Sequence, residues 1–218
     1  MLAVSTGAAA GVLHVLSGPD HLAALAPIAV DDRARAVRIG AVWGLGHGTG
    51  VVLLGAMGMG AGQLIDLHWM AAVSELAVGF LIIAIGLWSI RQAFGIVIHD
   101  HGHHHGPADH THAHVHVGGD TSHGVHTHGA FGIGLLHGAA GSGHLFGVLP
   151  SLALPPEQAM VYLAAYVTAA VGSMAGFGWA LGEITSRGGP RGVQSLLFGS
   201  GFAAMAVGVY WVVSGVMA

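Results

Sequence analysis

Gly11-Val12-Leu13-His14-Val15-Leu16-Ser17-Gly18-Pro19-Asp20-His21-Leu22 opens the stretch that decides the fold, which runs on to Pro27. A shift of 123 residues lays it, ungapped, on the segment from Gly134 to Pro150, and seven of 17 positions match. Gly11, Leu13, His14, Gly18, His21, Leu22 and Pro27 pair with Gly134, Leu136, His137, Gly141, His144, Leu145 and Pro150. A glycine-rich composition supplies the Gly and Leu matches, but it does not put two His and a Pro in register as well. A weaker echo at a shift of 122 pairs Gly79-Phe80 and Gly86 with Gly201-Phe202 and Gly208. The chain therefore reads as two copies of one unit.

Composition fixes the solvent of that unit. Only six basic and ten acidic residues occur among 218, and mean hydropathy is +0.70. So few charges cannot clothe a soluble globule, for which roughly 25% is usual. The outside must face lipid. A net charge of −4 with six basic residues excludes a nucleic-acid partner. The absence of Cys excludes disulfide frameworks and thiolate metal sites. Met1 to Pro19 carries no Lys or Arg, so it reads as a retained first span rather than a signal peptide.

Uncharged stretches long enough for a core of roughly 30 Å recur six times. They cover about residues 2–30, 39–61, 71–93, 129–154, 156–183 and 192–217. The expected fold is an all-α polytopic membrane protein of six transmembrane helices. Three spans per half make the second copy enter the membrane inverted, as in secondary transporters with a site between repeats. The expected domains are a first repeat, 1–98, a His-rich loop, 99–128, and a second repeat, 129–218. Spans two and five show no convincing match. Arg33, Arg35, Arg38, Arg91, Arg187 and Arg191 all fall on one side, which the positive-inside rule makes cytoplasmic. Both termini are then outside a cell (inner) membrane, and the loop is cytoplasmic. Gly44, Gly48 and Gly199 read as close-packing residues.

The chemistry lies in ionisable groups within the repeated spans: His14, Asp20, His21, His137 and His144. His14 and His21 are seven apart, so a straight helix separates them by roughly 10.5 Å along its axis. Two ligands of one ion must come much closer. Ser17-Gly18-Pro19 is a credible break, and Gly141-Ser142-Gly143 offers the same freedom in the second half. Imidazoles with one carboxylate and no sulfur suit Ni²⁺, Co²⁺, Cu²⁺ or Zn²⁺ better than Mg²⁺ or Ca²⁺. The loop holds 12 of the 18 His. Among them His101, His103, His104, His105, His110, His112, His114 and His116 form an accessory, flexible metal-binding tract. Glu75 and Glu183 lie near span ends, where charges snorkel, and His68 falls in a connector.

The segment from His14 to Pro27 resembles the signature span of the nickel/cobalt transporter superfamily, in which a His precedes an Asp-His pair in a membrane helix. Leu45-Gly46-His47-Gly48-Thr49 is similar to that family's next conserved segment. The His14-to-Asp20 spacing is one residue longer than in the best-known members, which favours the short six-span branch of urease-associated nickel permeases and nickel-cobalt efflux proteins. The resemblance implies a secondary transporter, not an enzyme, that moves Ni²⁺ or Co²⁺ as substrate, with no cofactor. It puts His14, Asp20, His21 and His47 at the ion; the repeat adds His137 and His144. Implied partners are the ion, the bilayer and cytoplasmic nickel-handling proteins. A membrane potential favours entry of a divalent cation by about 4.6 kcal/mol per 100 mV, so uptake is the expected direction. Efflux, a Zn²⁺ carrier, a metal store acting through the loop and a membrane haem protein are the alternatives.

Overall fold

The computed structural model describes residues 1–29, 33–61, 67–103, 110–117, 127–139 and 145–217. Helix α1 (Leu2–Ser17) stops at Gly18, and α2 (Pro19–Leu25) restarts at once with Pro at its first position. A short 3₁₀ turn, Ala26–Ile28, completes this limb, and the two parts meet at 69°. Three long helices follow in the described chain: α3 (Arg33–Ala61), α4 (Leu67–Phe94) and, after an insertion, α7 (Pro156–Met217). The insertion holds strands β1 (Ile96–His103) and β2 (His110–Val117), then helices α5 (Thr127–Ala139) and α6 (Leu145–Leu152).

Helix α7 is two helices in one run. Gly189 interrupts it at φ 58° and ψ −169°, a conformation that only glycine takes without strain, and Pro190 follows. At 1.5 Å per residue its 62 residues extend about 93 Å, enough for two passes through a core of roughly 30 Å. The bend falls between the expected fifth and sixth spans.

The six-span expectation is met only in its coarser part. Among the described residues, Glu75–Phe94 and Pro156–Met217 are long and apolar enough to cross a membrane, and the bent limb Leu2–Ile28 makes a third if it counts as one span. The stretch expected as a fourth span contains two short helices, α5 and α6. Their 13 and eight residues reach only about 20 and 12 Å. His68 sits inside α4 rather than in a connector. The His-rich loop, expected as a flexible tract, contains a two-stranded antiparallel ribbon.

Glycines set the helix spacing. On α3, Gly46 and Gly50 lie against the backbone of α5 at Phe131 and Leu135. On α5, Gly134 and Gly138 lie against the α3 carbonyls of Trp43 and His47. Two small-xxx-small faces thus meet backbone to backbone, the usual contact where lipid supplies no hydrophobic drive. Gly199 has nothing within 4 Å, so the close-packing expectation fails there.

Several contacts come in reciprocal pairs. A Cβ at Gly79 would stand 2.8 Å from the Gly208 oxygen, and one at Gly86 would stand 2.7 Å from the Gly201 oxygen. Gly44 meets Val171 while Gly48 meets Val167, at 3.0 and 2.8 Å on the same measure. Gly11 rests on the Tyr166 carbonyl, and Gly134 rests on that of Trp43.

Candidate metal centre in the membrane helices

The break at Gly18 builds the site. Gly18 accepts no side chain, because a Cβ there would collide with the His21 ring and stand 2.8 Å from Asp20 Oδ1. With the chain turned so tightly, His14 in the last turn of α1 and His21 in the first turn of α2 face each other. Their Nε2 atoms are 3.1 Å apart despite seven residues of separation. Asp20 sits in the first turn of α2, where the helix dipole favours a carboxylate.

His47 enters from α3, its Nε2 3.2 Å from His14 Nε2. His137 enters from α5, its Nε2 3.2 Å from Asp20 Oδ2. The other carboxylate oxygen, Oδ1, is 3.1 Å from His21 Nδ1. Glycine packing explains both arrivals: His47 follows Gly46 and His137 precedes Gly138, so each ring sits where α3 and α5 approach most closely. Asp20, His21, His47 and His137 are buried, and His14 is half-buried.

Two overlapping trios have ligand atoms within 4.8 Å of one another: His14, His21 and His47, and Asp20, His21 and His137. Their chemistry differs. In the second trio the Asp20 carboxylate lies between two rings, Oδ1 beside His21 Nδ1 and Oδ2 beside His137 Nε2. A His21 Nδ1–H donating to Asp20 leaves the His21 Nε2 lone pair pointing at His14. At His14, one ring nitrogen faces two others, and it has a single in-plane hydrogen or lone pair to share between them. A cation satisfies all three at once. For metal–nitrogen bonds near 2.0–2.1 Å, a tetrahedron has ligand atoms roughly 3.3 Å apart, close to the spacing here.

Two aromatic residues missed in the sequence wall the cluster. Trp43 is fully buried and stacks on His47, with centroids 5.3 Å apart and planes within 6°. Tyr166 lies 5.6 Å from His14, and Trp43 lies 5.3 Å from His137. Both contacts carry the repeat, since the 123-residue shift takes His14 to His137 and Trp43 to Tyr166. That pairing was the available signal. It was hidden because Trp and Tyr are not identical and the intervening helices share little else.

Of the other expected site residues, His144, His104 and His105 lie outside the described residues. His101, His103, His110, His112, His114 and His116 lie on β1 and β2. Glu75 is on α4 and belongs to neither trio. Glu183 is remote from the cluster in function: it pairs with Arg33 at the start of α3 and with Arg187 Nη2 at 2.6 Å, stapling α7 to α3. Asp20, expected as a ligand, belongs to the second trio, its two oxygens beside the nitrogens of His21 and His137. A haem does not fit between these rings, whose centroids are 4.6 to 5.4 Å apart with no slot for a macrocycle.

No family model matches the chain, and no solved structure matches it. It is similar to two Arabidopsis thaliana proteins, Chloroplast protein FOR GROWTH AND FERTILITY 2 and 1. Identity is 29% over 219 aligned positions and 28% over 221, covering 96% of this chain in both cases. The same alignments cover 55% and 58% of those proteins, so the chain spans little more than half the length of the curated relatives it matches. These relatives overturn the nickel/cobalt assignment, with its transport function, uptake direction and urease-associated branch. Proteins similar along nearly the whole chain are named for chloroplast growth and fertility, whereas the nickel/cobalt resemblance rested on two short motifs. Those motifs report a glycine-broken helix with imidazoles at the break, a local geometry that does not specify a cargo.

Proposed function

We propose that this chain is a multi-pass membrane protein that holds one divalent transition-metal ion inside its helical bundle. His14, His21 and His47 supply the imidazole nitrogens, Asp20 fixes the tautomer of His21, and His137 grips the carboxylate from the other half. The observation that carries this reading is the convergence of Nε2 atoms at 3.1 and 3.2 Å on His14.

The architecture we infer is two inverted repeats, 1–98 and 129–218, flanking the insertion. Reciprocal contacts support it. An element pair related by a two-fold must make each contact twice, with partners exchanged. Gly79–Gly208 and Gly86–Gly201 do so under the 122 shift. His14–Tyr166 and Trp43–His137 do so under the 123 shift. The relatives' names favour a membrane of the plastid kind as the setting.

The test is metal content. Full-length protein purified in detergent should retain close to one Zn²⁺ per chain at the buried centre after the loop His are removed, with three imidazole scatterers in its X-ray absorption spectrum. A second reading follows from the unbroken line His47–His14–His21–Asp20–His137, whose links are all 3.1 to 3.2 Å. Such a line moves protons without an ion. Absence of bound metal, with proton flux lost in a His14→Gln variant, would replace the first reading by the second.

A further inference from the structure

Close contacts fix the depth of each site residue along α3. Gly40 lies against the Met174 backbone, Gly44 against Val171 and Gly48 against Val167, while Gly182 lies against the backbone of Arg33. The first arm of α7 therefore runs antiparallel to α3, residue for residue. At 1.5 Å per residue, His47 stands about 21 Å from Arg33, with Trp43 about 6 Å nearer that end and Val51 about 6 Å farther. Tyr166 precedes Val167, so it stands just beyond Gly48, on the Val51 side. The His cluster is thus enclosed between Trp43 towards the arginines and Tyr166 away from them.

The two enclosures differ in thickness. On the arginine side Trp43 belongs to the main core, which continues through Ile39, Met174 and Leu181. Leu181 precedes Gly182, so apolar packing on this side reaches almost to Arg33. On the other side, described residues form a plug of Val51, Val148 and Tyr166, with Ala10, Leu163 and Val167 packed against it. From Val167 to Leu163 the plug is one helical turn deep, about 6 Å. Beyond it, Val52, Leu53, Leu149 and Met160 are exposed. His14 borders the plug through Tyr166, and among His14, Asp20, His21, His47 and His137 it alone is only half-buried.

Helix α6 completes the plug. Gly147 seats it, since a Cβ there would stand 2.5 Å from the Tyr166 hydroxyl oxygen. The Tyr162 hydroxyl donates to the Gly147 carbonyl at 3.0 Å and ties α6 to α7. Pro150 inside α6 has no N–H for a helical bond, which weakens the helix's own hold. We infer that the buried cluster opens to the membrane face opposite the arginines, by displacement of α6 and its Val148 from Tyr166, with the Tyr162–Gly147 hydrogen bond as the latch. Parting α6 disturbs one turn of packing, whereas opening towards the arginines takes the main core apart. Local opening draws on the segment with the fewest buried apolar contacts. This one-sided entrance rests on the centre proposed above only for its location, since the same opening serves an ion or a proton.

The chain has no Cys, so single introduced thiols report access. In the full-length protein, His14→Cys marks the cluster, Val51→Cys the plug and Ile39→Cys the arginine-side core. Each is reacted with a membrane-impermeant maleimide in right-side-out and inside-out vesicles, with chelator present. His14→Cys and Val51→Cys should label from the face opposite the arginines, and Ile39→Cys from neither. Tyr162→Phe breaks the latch. Loss of one ordinary hydrogen bond raises the open fraction about fivefold, so labelling at both reporters should quicken by that factor, from the same face alone. Labelling of the cluster from the arginine face would overturn the inference, as would rates that Tyr162→Phe leaves unchanged. Val51→Cys is nearly isosteric and keeps the test readable where His14→Cys misfolds. Thiol labelling needs no bound ion, so its outcome is independent of the metal content that tests the centre itself.

Discussion

His137 reaches Asp20 across the two halves of the chain, its Nε2 3.2 Å from Oδ2, while His21 Nδ1 takes Oδ1 at 3.1 Å. One carboxylate thus sets two rings. Asp20→Asn keeps the shape but offers a donor where an acceptor is needed, so one ring must turn or change tautomer. Loss of such an orienting partner typically costs 10- to 100-fold in metal affinity. Chelator competition with Zn²⁺ should read that loss, with helicity by circular dichroism unchanged. Native affinity in the variant would remove Asp20 from the centre.

Gly138 tests the packing that delivers His47 and His137. Any Cβ there runs into the His47 backbone, so Gly138→Val must push α3 and α5 apart. Overpacking of this kind costs typically 1–3 kcal/mol. Gly132→Ala, on the same helix with nothing within 4 Å, is the matched control. Thermal unfolding in detergent should fall for the first and stay level for the second.

Tyr166 lines the cluster through its ring rather than its hydroxyl. Its OH is buried with no hydrogen-bond partner among the described residues. Tyr166→Phe removes an unsatisfied group and keeps the ring, so stability should hold or rise by about 1 kcal/mol. Tyr166→Ala should cost about 3–5 kcal/mol by emptying a fully buried site. If the Phe variant instead loses metal, the hydroxyl has a role at the ion.

Glu183 predicts a salt-sensitive staple. Its carboxylate pairs with Arg33 and Arg187, whose side chains are 53% and 78% exposed. Solvent screens both pairs, so Glu183→Gln should destabilise by no more than about 1 kcal/mol. Comparing native and variant melting at low and high salt checks it. The difference should shrink as salt rises.

The helix break was readable because its ingredients are local. Gly18 and Pro19 act within their own turn, and the seven-residue step from His14 to His21 demands a bend if both rings are to face one ion. The approach of His47 and His137 was not local. It depends on Gly46, Gly50, Gly134 and Gly138 meeting across 80 or more residues, and a sequence rich in glycine does not say which ones meet. Trp43 was passed over for the same reason, since its stacking on His47 needs only one helical turn but its contact with His137 needs the α3–α5 seam. The fourth span was expected to break at Gly141-Ser142-Gly143; α5 and α6 lie on either side of that stretch, each too short to cross alone, and residues 140–144 lie outside the described residues. The alternation from His110 to His116 was visible in the sequence but reads there as a flexible metal-binding tract, whereas it is a strand.

The elbow at Gly189 makes the chain divisible. A Cβ at Gly188, Gly189 or Gly192 would meet nothing within 4 Å among the described residues. Before it, Tyr162, Tyr166 and Met174 underlie glycines of α1 and α3; after it, Gly201 and Gly208 engage α4. Each arm is secured by its own partners, so the covalent link between them is a tether rather than a strut. A chain cut between Gly188 and Pro190, with its two pieces made together, should reassemble into the same bundle. The gene for such a protein can accordingly be divided at that codon without parting His14, His21, His47 and His137, all of which stay on the first piece.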